Sequence, residues 1–463
     1  MSETLAAHAE PMRRGTQVPA EAITQKSLND DVLRMISKPG KIWWAVLTLD
    51  LIILTLGLIA ERNQIVHGIG SAGHTRPVMW ASYIVNFVFW VGIAHCGTLV
   101  SAVLFLFRSH FRRAVYRVAE AMTVFGVLTA GLFPLLHTGR PWFGYWLVPY
   151  PNQRNLWPNV RSPLEWDVFA VTTYLTISSI FFIVGIIPDA AVARDRAKHP
   201  VMKLILTIFS FGWTGSNHQW KHFYGAYLYF AALATPLVLS VHSVVSWDFA
   251  MAQIPGWHST IFAPYFVAGA IFSGVAMVIN LLIPIRKTFK LEHIVTLDHM
   301  EKLSKLVLLT STIVAYSYLV EFFCAWYGPS KFERDMFWWR ATGHFNWGFW
   351  IMFTCNAILP LSLWFKPVRR NMPVLFVLCL FVNVGMWFER FVIMTGLARS
   401  FMPSMWDINY RMSWTEAAIL AGSFAWFFLF FLIFVRLLPA FSIAEIKETL
   451  PPPMRGRKAG AHA

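Results

Sequence analysis

The sequence predicts an all-α integral membrane protein. Of its 463 residues, 56% are hydrophobic and only 14% are charged, and the mean hydropathy is +0.51. Several apolar runs are longer than about 18 residues, and a helix of about 20 residues crosses a hydrocarbon core of about 30 Å. This composition excludes an ordinary soluble globular protein.

Ten apolar runs are long enough to span a membrane as helices. We predict them at Ile42–Ala60, Met79–Phe107, Val115–Leu136, Leu164–Ile187, His222–Ser246, Ile261–Pro284, Lys305–Tyr327, Phe345–Phe365, Pro373–Leu397 and Trp414–Leu438. The stretch Val201–Trp213 is too short to cross, and we predict that it lies along the membrane interface or extends the fifth span.

The positive charges predict the orientation of these spans. About 25 Lys and Arg residues fall in the two tails and in the loops that follow the second, fourth, sixth and eighth spans. The other five loops contain about 10. By the positive-inside rule both termini are cytoplasmic, and the loop from His137 to Pro163 faces outward. We therefore attribute the net charge of +15 to basic residues that determine the orientation of the spans and contact anionic lipid head groups. We expect no nucleic-acid partner.

The four cysteines, Cys96, Cys324, Cys355 and Cys379, lie singly in apolar segments. Without a CxxC spacing, we expect no disulfide, no iron–sulfur ligation and no c-type haem attachment within this chain.

A faint internal repeat predicts how the spans are grouped. Residues 91–103 in the second span resemble residues 267–278 in the sixth, and both are rich in the small residues that let helices approach closely in lipid. We predict two four-helix bundles between two flanking helices. The predicted parts are a cytoplasmic tail (1–41), a flanking helix (42–60), the first bundle with the functional site (79–246), the second bundle (261–397), a second flanking helix (414–438) and a cytoplasmic tail (439–463).

The strongest candidate site lies where the third span ends and the fourth begins. His137 closes one apolar run and Asp167 opens the next, so antiparallel neighbouring helices place both at one membrane surface. Ionisable groups at membrane depth mark functional sites, and a histidine with a partly buried carboxylate can accept protons. In the alternative interpretation His137 only complements a helix C terminus and Asp167 a helix N terminus that starts at Ser162 or Pro163.

His95 lies mid-membrane in the second span and could serve as a b-haem ligand only with a second histidine at similar depth. We place His137 and His242 nearer the outer ends of their spans. We therefore expect His95 to be hydrogen-bonded or part of a proton relay.

The seventh and ninth spans carry Glu321 and the pair Glu389 and Arg390. Charges at this depth need a partner or water. One interpretation is a structural ion pair, and the other is a proton pathway that also includes His344 and Asp248.

Together these features resemble a known family. Two small-residue-rich halves, the outward motif His137-Thr-Gly-Arg140-Pro-Trp142 and the following Trp166-Asp167 are similar to the NrfD-like membrane subunits of polysulfide reductase and nitrite reductase quinol systems. The resemblance covers the second to ninth spans. The extra span at each end makes the chain most similar to the ActC type of bacterial alternative complex III.

The resemblance implies a haem-free, quinol-binding subunit of the bacterial inner membrane that binds no iron–sulfur cluster itself. His137 and Asp167 match the quinol-site positions, with Arg140, Trp142 and Tyr174 as further quinol contacts. Arg140 either pairs with Asp167 or holds the loop. The quinol, menaquinol or ubiquinol, would pass electrons to an iron–sulfur subunit on the periplasmic face and to c-type cytochromes. A second NrfD-like subunit and a terminal oxidase are further candidate partners, and proton translocation stays open.

Three other interpretations fit parts of the sequence. The repeat and the intramembrane carboxylates are also found in proton-coupled secondary transporters. A b-haem membrane anchor would use the intramembrane histidines. A purely structural anchor for an outer redox domain would explain the fold but give His137 and Asp167 no role.

Overall fold

The computed structural model describes residues 25–36, 39–148, 162–399, 404 and 406–448. Within these ranges the chain forms helices and no strands, which confirms the predicted all-α class. Most of the two predicted tails lies outside the described residues.

The helices are α1 (Gln25–Arg34), α2 (Lys41–His67), α3 (Ala81–Leu106), α4 (Tyr116–His137), α5 (Pro163–Arg196), α6 (Pro200–Ser210), α7 (Asn217–Ala250), α8 (Phe262–Thr288), α9 (Leu297–Tyr327), α10 (Lys331–Thr342), α11 (Asn346–Trp364), α12 (Met372–Ala398), α13 (Trp414–Leu437) and α14 (Ile443–Lys447). All but α1, α6, α10 and α14 are long and apolar enough to cross a membrane, so each of the ten predicted spans corresponds to one helix. Several helices continue past the apolar run because good helix formers follow it.

The helices form two bundles that meet along one seam. Helices α3, α4, α5 and α7 pack together, as do α8, α9, α11 and α12, and α3 packs directly against α8 at the junction. Helices α2 and α13 pair with each other on one side, where α13 also packs on α4. This grouping agrees with the predicted arrangement of two four-helix bundles with two flanking helices.

Small residues allow the close packing of α3 with both of its neighbours. A Cβ atom on Gly274 of α8 would lie 2.1 Å from the Cβ of Cys96 on α3. A Cβ on Gly97 would lie 2.0 Å from the carbonyl oxygen of Ala119 on α4. The two repeated segments are thus the two helices that touch at the seam, which is the use of small residues expected in lipid.

The ten helices alternate in direction, so the connections fall at two ends of the molecule. We call the end with residues 68–80, 138–148 and 251–261 the site face. The opposite end, which carries Arg112 and Arg369, we call the basic face.

A buried charge network fills the basic end of the first bundle. Arg117 of α4 donates to Asp189 at 2.9 Å and to the carbonyl of Gly185 at 2.6 Å, both on α5. Glu120 lies 3.6 Å from Arg117 and accepts a hydrogen bond of 2.9 Å from Tyr227 on α7. The network links three helices, and the sequence analysis did not identify it.

Helix α14 closes this network from the C-terminal side. The amide of Ala444 donates to Asp189 at 2.9 Å, and Arg112 pairs with Glu445 at 2.7 Å. Residues 439–448 therefore belong to the packed fold, although we expected them to be part of a cytoplasmic tail.

We predict that Gly274→Ala destabilises the protein, because its methyl group would overlap Cys96 at the seam. The matched control is Gly225→Ala on α7, where nothing lies within 4 Å of the added carbon. Thermal unfolding in detergent should show a lower midpoint for the first variant and an unchanged or higher one for the second. Equal midpoints would contradict the packing described for α3 and α8.

We also predict that Asp189→Asn lowers the unfolding temperature, because the buried Arg117 loses the nearer of its two carboxylate partners and keeps only Glu120; complete loss of compensation costs about 3–5 kcal/mol in comparable buried pairs. Asp195→Asn, six residues along the same helix but at an exposed pair with Arg194, is the control. A similar shift in both variants would argue against the network as a source of stability.

Candidate functional site

A cavity of about 260 Å³ opens at the site face of the first bundle. Both His137, the last residue of α4, and Asp167, in the second turn of α5, line it. The structure thus brings the two main candidate residues into one cavity. The other described lining residues are mostly apolar or aromatic: Trp80, Tyr83, Ile84, Phe87, Gly131, Phe133, Pro134, Leu135, Gly144, Leu147, Val148, Leu164, Val168, Val171 and Thr172.

The end of α4 that carries His137 is held by side chains of two other helices. Gln64 of α2 donates to the carbonyl of Leu136 at 2.7 Å, and Tyr83 of α3 donates to Gln64. This satisfies a carbonyl that a helix end leaves without an intrahelical partner. The chain then turns sharply at Gly139, whose φ of +77° favours glycine.

Asp167 lies among other buried carboxyl groups. Asp248 at the end of α7 is the carboxyl group that interacts with Asp167, whereas Glu165, two residues earlier on α5, lies on a different side of that helix. All three side chains are buried, and no described cation or amide is hydrogen-bonded to any of them. Two interacting buried carboxyl groups without such partners are costly when both are ionised, so Asp167 and Asp248 can share a proton and exchange it.

The segment 68–80 packs beside His137 and is fixed by a single buried carboxylate. Glu416 of α13 accepts hydrogen bonds from the amide of Gly73 at 2.7 Å and from the amide and hydroxyl of Ser82 at 2.9 and 2.8 Å. Tyr410 also donates to it, at 3.2 Å. The flanking helix α13 therefore anchors both this segment and the start of α3.

Arg140 and Trp142, the other two candidate residues of the outward motif, lie outside the cavity. Arg140 donates to the carbonyl of Ile65 on α2 at 3.4 Å, and it makes no hydrogen bond to either carboxyl oxygen of Asp167. Trp142 is 59% exposed and contacts Phe143. The structure thus agrees with the loop-holding role of Arg140, whereas the expected contact of Trp142 with a ligand in this cavity has no support in the geometry.

Tyr174 lies two turns deeper than Asp167 on α5 and does not line the cavity. Its hydroxyl shares a hydrogen bond of 2.8 Å with Thr98, and its ring stacks on His95 with the centroids 4.7 Å apart. The geometry therefore does not support Tyr174 as a contact in this cavity, because its position on α5 lies deeper in the bundle core than the cavity extends.

His242 lies across from His95 and not near the end of its span, so our expectation about its depth was wrong. The centroids of the two rings are 4.7 Å apart. His95 donates from Nδ1 to the carbonyl of Val91, and His242 makes no hydrogen bond to a described side chain. The misplacement arose because α7 continues beyond the predicted span at both ends.

Beyond His242 the buried polar groups continue into the second bundle. Arg390 of α12 is the next charged neighbour of His242, and it is paired with Glu389. Tyr318 of α9 donates to Glu389 and accepts a hydrogen bond of 2.9 Å from Asn356. Both interpretations of the Glu389 and Arg390 pair, a structural ion pair and a proton pathway, fit this arrangement.

The remaining candidates fall into three different places. Glu321 of α9 faces Arg340 of α10 and neighbours Tyr318. Asp248 belongs to the cluster around Asp167 and not to the second bundle. His344 lies at the site face, where it contacts only Phe345 among the described rings, so the geometry does not connect it with the buried chain.

Sequence reasoning missed three residues close to the site: His74 lies beside His137, Tyr83 stacks on His74, and Glu416 binds the amide of Gly73. Each lies in or next to a segment without strong apolar periodicity, and the contacts of Glu416 join residues more than 300 positions apart. The Ser413 and Glu416 capping box was a readable signal for the start of α13, but not for the loop that Glu416 also binds.

Comparison with known proteins identifies the family. Residues 70–399 match the family model described as "Polysulphide reductase, NrfD", a region that includes both bundles and the cavity. A putative dimethyl sulfoxide reductase membrane subunit of Halobacterium salinarum is 27% identical over 378 residues, which cover 80% of each chain.

The fold, the ten apolar helices and the match over most of the chain agree with each other. The protein belongs to the NrfD polysulphide reductase family and is a multi-pass membrane subunit of a redox enzyme.

Proposed function

We propose that this chain binds and oxidises a quinol, as the membrane subunit of a respiratory complex of the alternative complex III type. The observation that carries the proposal is the apolar cavity at the site face, which both His137 and Asp167 line. Ligand sites typically combine an apolar lining with a few convergent polar groups. At about 260 Å³ the cavity suits a head group, with the isoprenoid tail leaving toward lipid.

The chemistry requires two proton acceptors. Oxidation of a quinol to the quinone releases two protons and two electrons, and a neutral imidazole and an ionised carboxylate can each accept one proton from a hydroxyl group. The apolar walls exclude water and favour transfer to these two groups. Since this chain offers no redox centre in our interpretation, both electrons leave to a partner subunit.

The partner is proposed on the site face, next to the cavity. We propose an iron–sulfur subunit there, with c-type cytochromes beyond it and a second NrfD-like subunit in the membrane. The Halobacterium relative is named as the membrane subunit of a reductase, which supports electron transfer between the membrane and a docked redox enzyme. We propose a location in the bacterial plasma membrane, and the distribution of Lys and Arg supports cytoplasmic termini and an outward site face.

The b-haem alternative has less support from the geometry. His95 and His242 are the histidines that face each other in the middle of the first bundle, and their ring centroids are 4.7 Å apart. A macrocycle held between two axial ligands needs more separation than rings in contact provide.

We predict that Asp167→Asn and His137→Ala each lower quinol oxidation by about a hundredfold or more while the complex still assembles, because each removes a proton acceptor. The measurement is steady-state turnover of the purified complex with a soluble quinol and cytochrome c. The controls at the same face are Asp335→Asn and His258→Ala, whose side chains are exposed. Wild-type turnover in both site variants would place quinol oxidation elsewhere.

We propose proton movement through the seam as a second activity. The chain of buried polar groups from Tyr174 and His95 through His242 to Arg390 and Glu389 supports it, since buried polar groups at this depth need a functional reason. Glu321 extends the chain toward the site face.

We predict that Tyr318→Phe reduces proton translocation per electron in proteoliposomes, because it removes the hydroxyl between Asn356 and Glu389. Quinol oxidation in detergent should stay within about twofold of wild type, since the cavity is untouched. Tyr316→Phe, on the same helix but facing outward, is the matched control. Unchanged translocation in the Tyr318 variant would favour a purely structural role for the pair.

A further inference from the structure

One histidine beside the candidate quinol site takes no part in the proposed proton acceptance by His137 and Asp167. His74 lies in the segment 68–80, and its ring stacks on Tyr83 with centroids 5.8 Å apart. The centroid of His137 is 6.2 Å away on its other side. Tyr83 and His137 line the cavity whereas His74 does not, so His74 lies one layer behind them.

Both ring nitrogens of His74 are shielded from solvent and make no hydrogen bond with any described residue. Leaving a buried polar group without a partner costs about 1–3 kcal/mol, so an ordered water or a functional role is expected. With their centroids 6.2 Å apart, the two imidazoles are too far from each other for a direct hydrogen bond, so a proton that passes between them needs a bridging water. Such a bridge would connect His137 with His74 by hydrogen bonds.

The surroundings hold His74 in place and suit a group that gains and loses a proton. Glu416 binds the amide of the preceding residue, Gly73, at 2.7 Å, which fixes the backbone. Burial lowers the pKa of His74, whereas the negative charge of Glu416 opposes this effect. The imidazole is therefore neutral at pH 7 and able to accept a proton, and Glu416 stabilises the cation that forms. The titratable groups around it are His137, Tyr83 and Glu416.

The segment also provides a way out for a proton. His74 is partly exposed, and Arg76, two residues further, is exposed at the site face. Asp167 and Asp248 lie on α5 and α7, which are other helices lining or adjoining the cavity. The histidine side of the cavity thus lies close to the surface, although the ring nitrogens of His74 are themselves shielded from solvent.

We propose that His74 accepts from His137 the proton that quinol oxidation deposits there, and releases it at the site face. This inference rests on the proposed quinol oxidation. One proton passes from the quinol hydroxyl to His137, then through water to His74 and outward. The second proton goes to Asp167, and both electrons leave to the partner redox centre. His74 contacts neither the quinol nor the reacting atoms, so it is a proton-carrying residue that acts through His137.

The test is turnover of the assembled complex as a function of pH and of quinol concentration, in the His74→Ala and His74→Phe variants. Phenylalanine keeps a ring against Tyr83 but carries no proton. We expect kcat to fall by about tenfold or more in both variants. KM should change by less than about threefold, since the quinol contacts remain. Added imidazole should restore the Ala variant, whose cavity can admit it, and should leave the Phe variant inactive. His258→Ala, exposed at the same face, is the control.

The outcomes separate this inference from the proposed function. If His137→Ala and Asp167→Asn abolish turnover while both His74 variants keep the wild-type kcat and pH profile, the relay is wrong and the quinol site stands. Loss of activity in the Ala variant without imidazole rescue, or a rise in KM alone, would reveal a structural role and overturn the relay. If all four site variants retain wild-type turnover, the proposed quinol site fails as well.

Discussion

The close approach of α3 and α8 is the constraint on which the rest of the molecule depends. In a membrane, helices gain no hydrophobic driving force from each other, so packing of small residues has to bring them together. Gly274 and Gly97 let α3 contact helices on both sides. Gly92 and Gly269 leave space for the guanidinium of Arg390, which lies 3.8 and 3.6 Å from where their Cβ atoms would be. The seam is thus both a place of very close packing and a polar region of the interior.

This packing explains how charged groups are tolerated so far from water. Arg390 is paired with Glu389, and its guanidinium lies 5.2 Å from the ring centroid of Phe266, so its charge is compensated from two directions. At the basic face Arg117 is compensated by Asp189 and Glu120. The carboxyl groups around Asp167 are different, because no described cation pairs with them. These two buried arginines thus each have a carboxylate partner, whereas Asp167 at the cavity and its neighbour Asp248 have no described cation.

The sequence predicted the class, the number of spans, their grouping and the meeting of His137 with Asp167, because these follow from apolar length and from antiparallel neighbours. The depth of an individual side chain below the site face was less predictable. Tyr174 follows Asp167 on the same face, yet it lies two turns deeper, and His242 was placed too near an end because α7 extends beyond its apolar run. Contacts such as Glu416 with Gly73 join distant segments and leave no local pattern.

The position of α14 has a consequence for how the protein is made. Arg117 and Asp189 enter the membrane with the third and fourth spans, early in synthesis, whereas Ala444 and Glu445 emerge only after the last span. Since chains fold from the N terminus as they are synthesised, the first bundle inserts with an incomplete polar network. Only the arrival of α14 satisfies it, so the residues of this short helix complete a polar network that the first bundle needs.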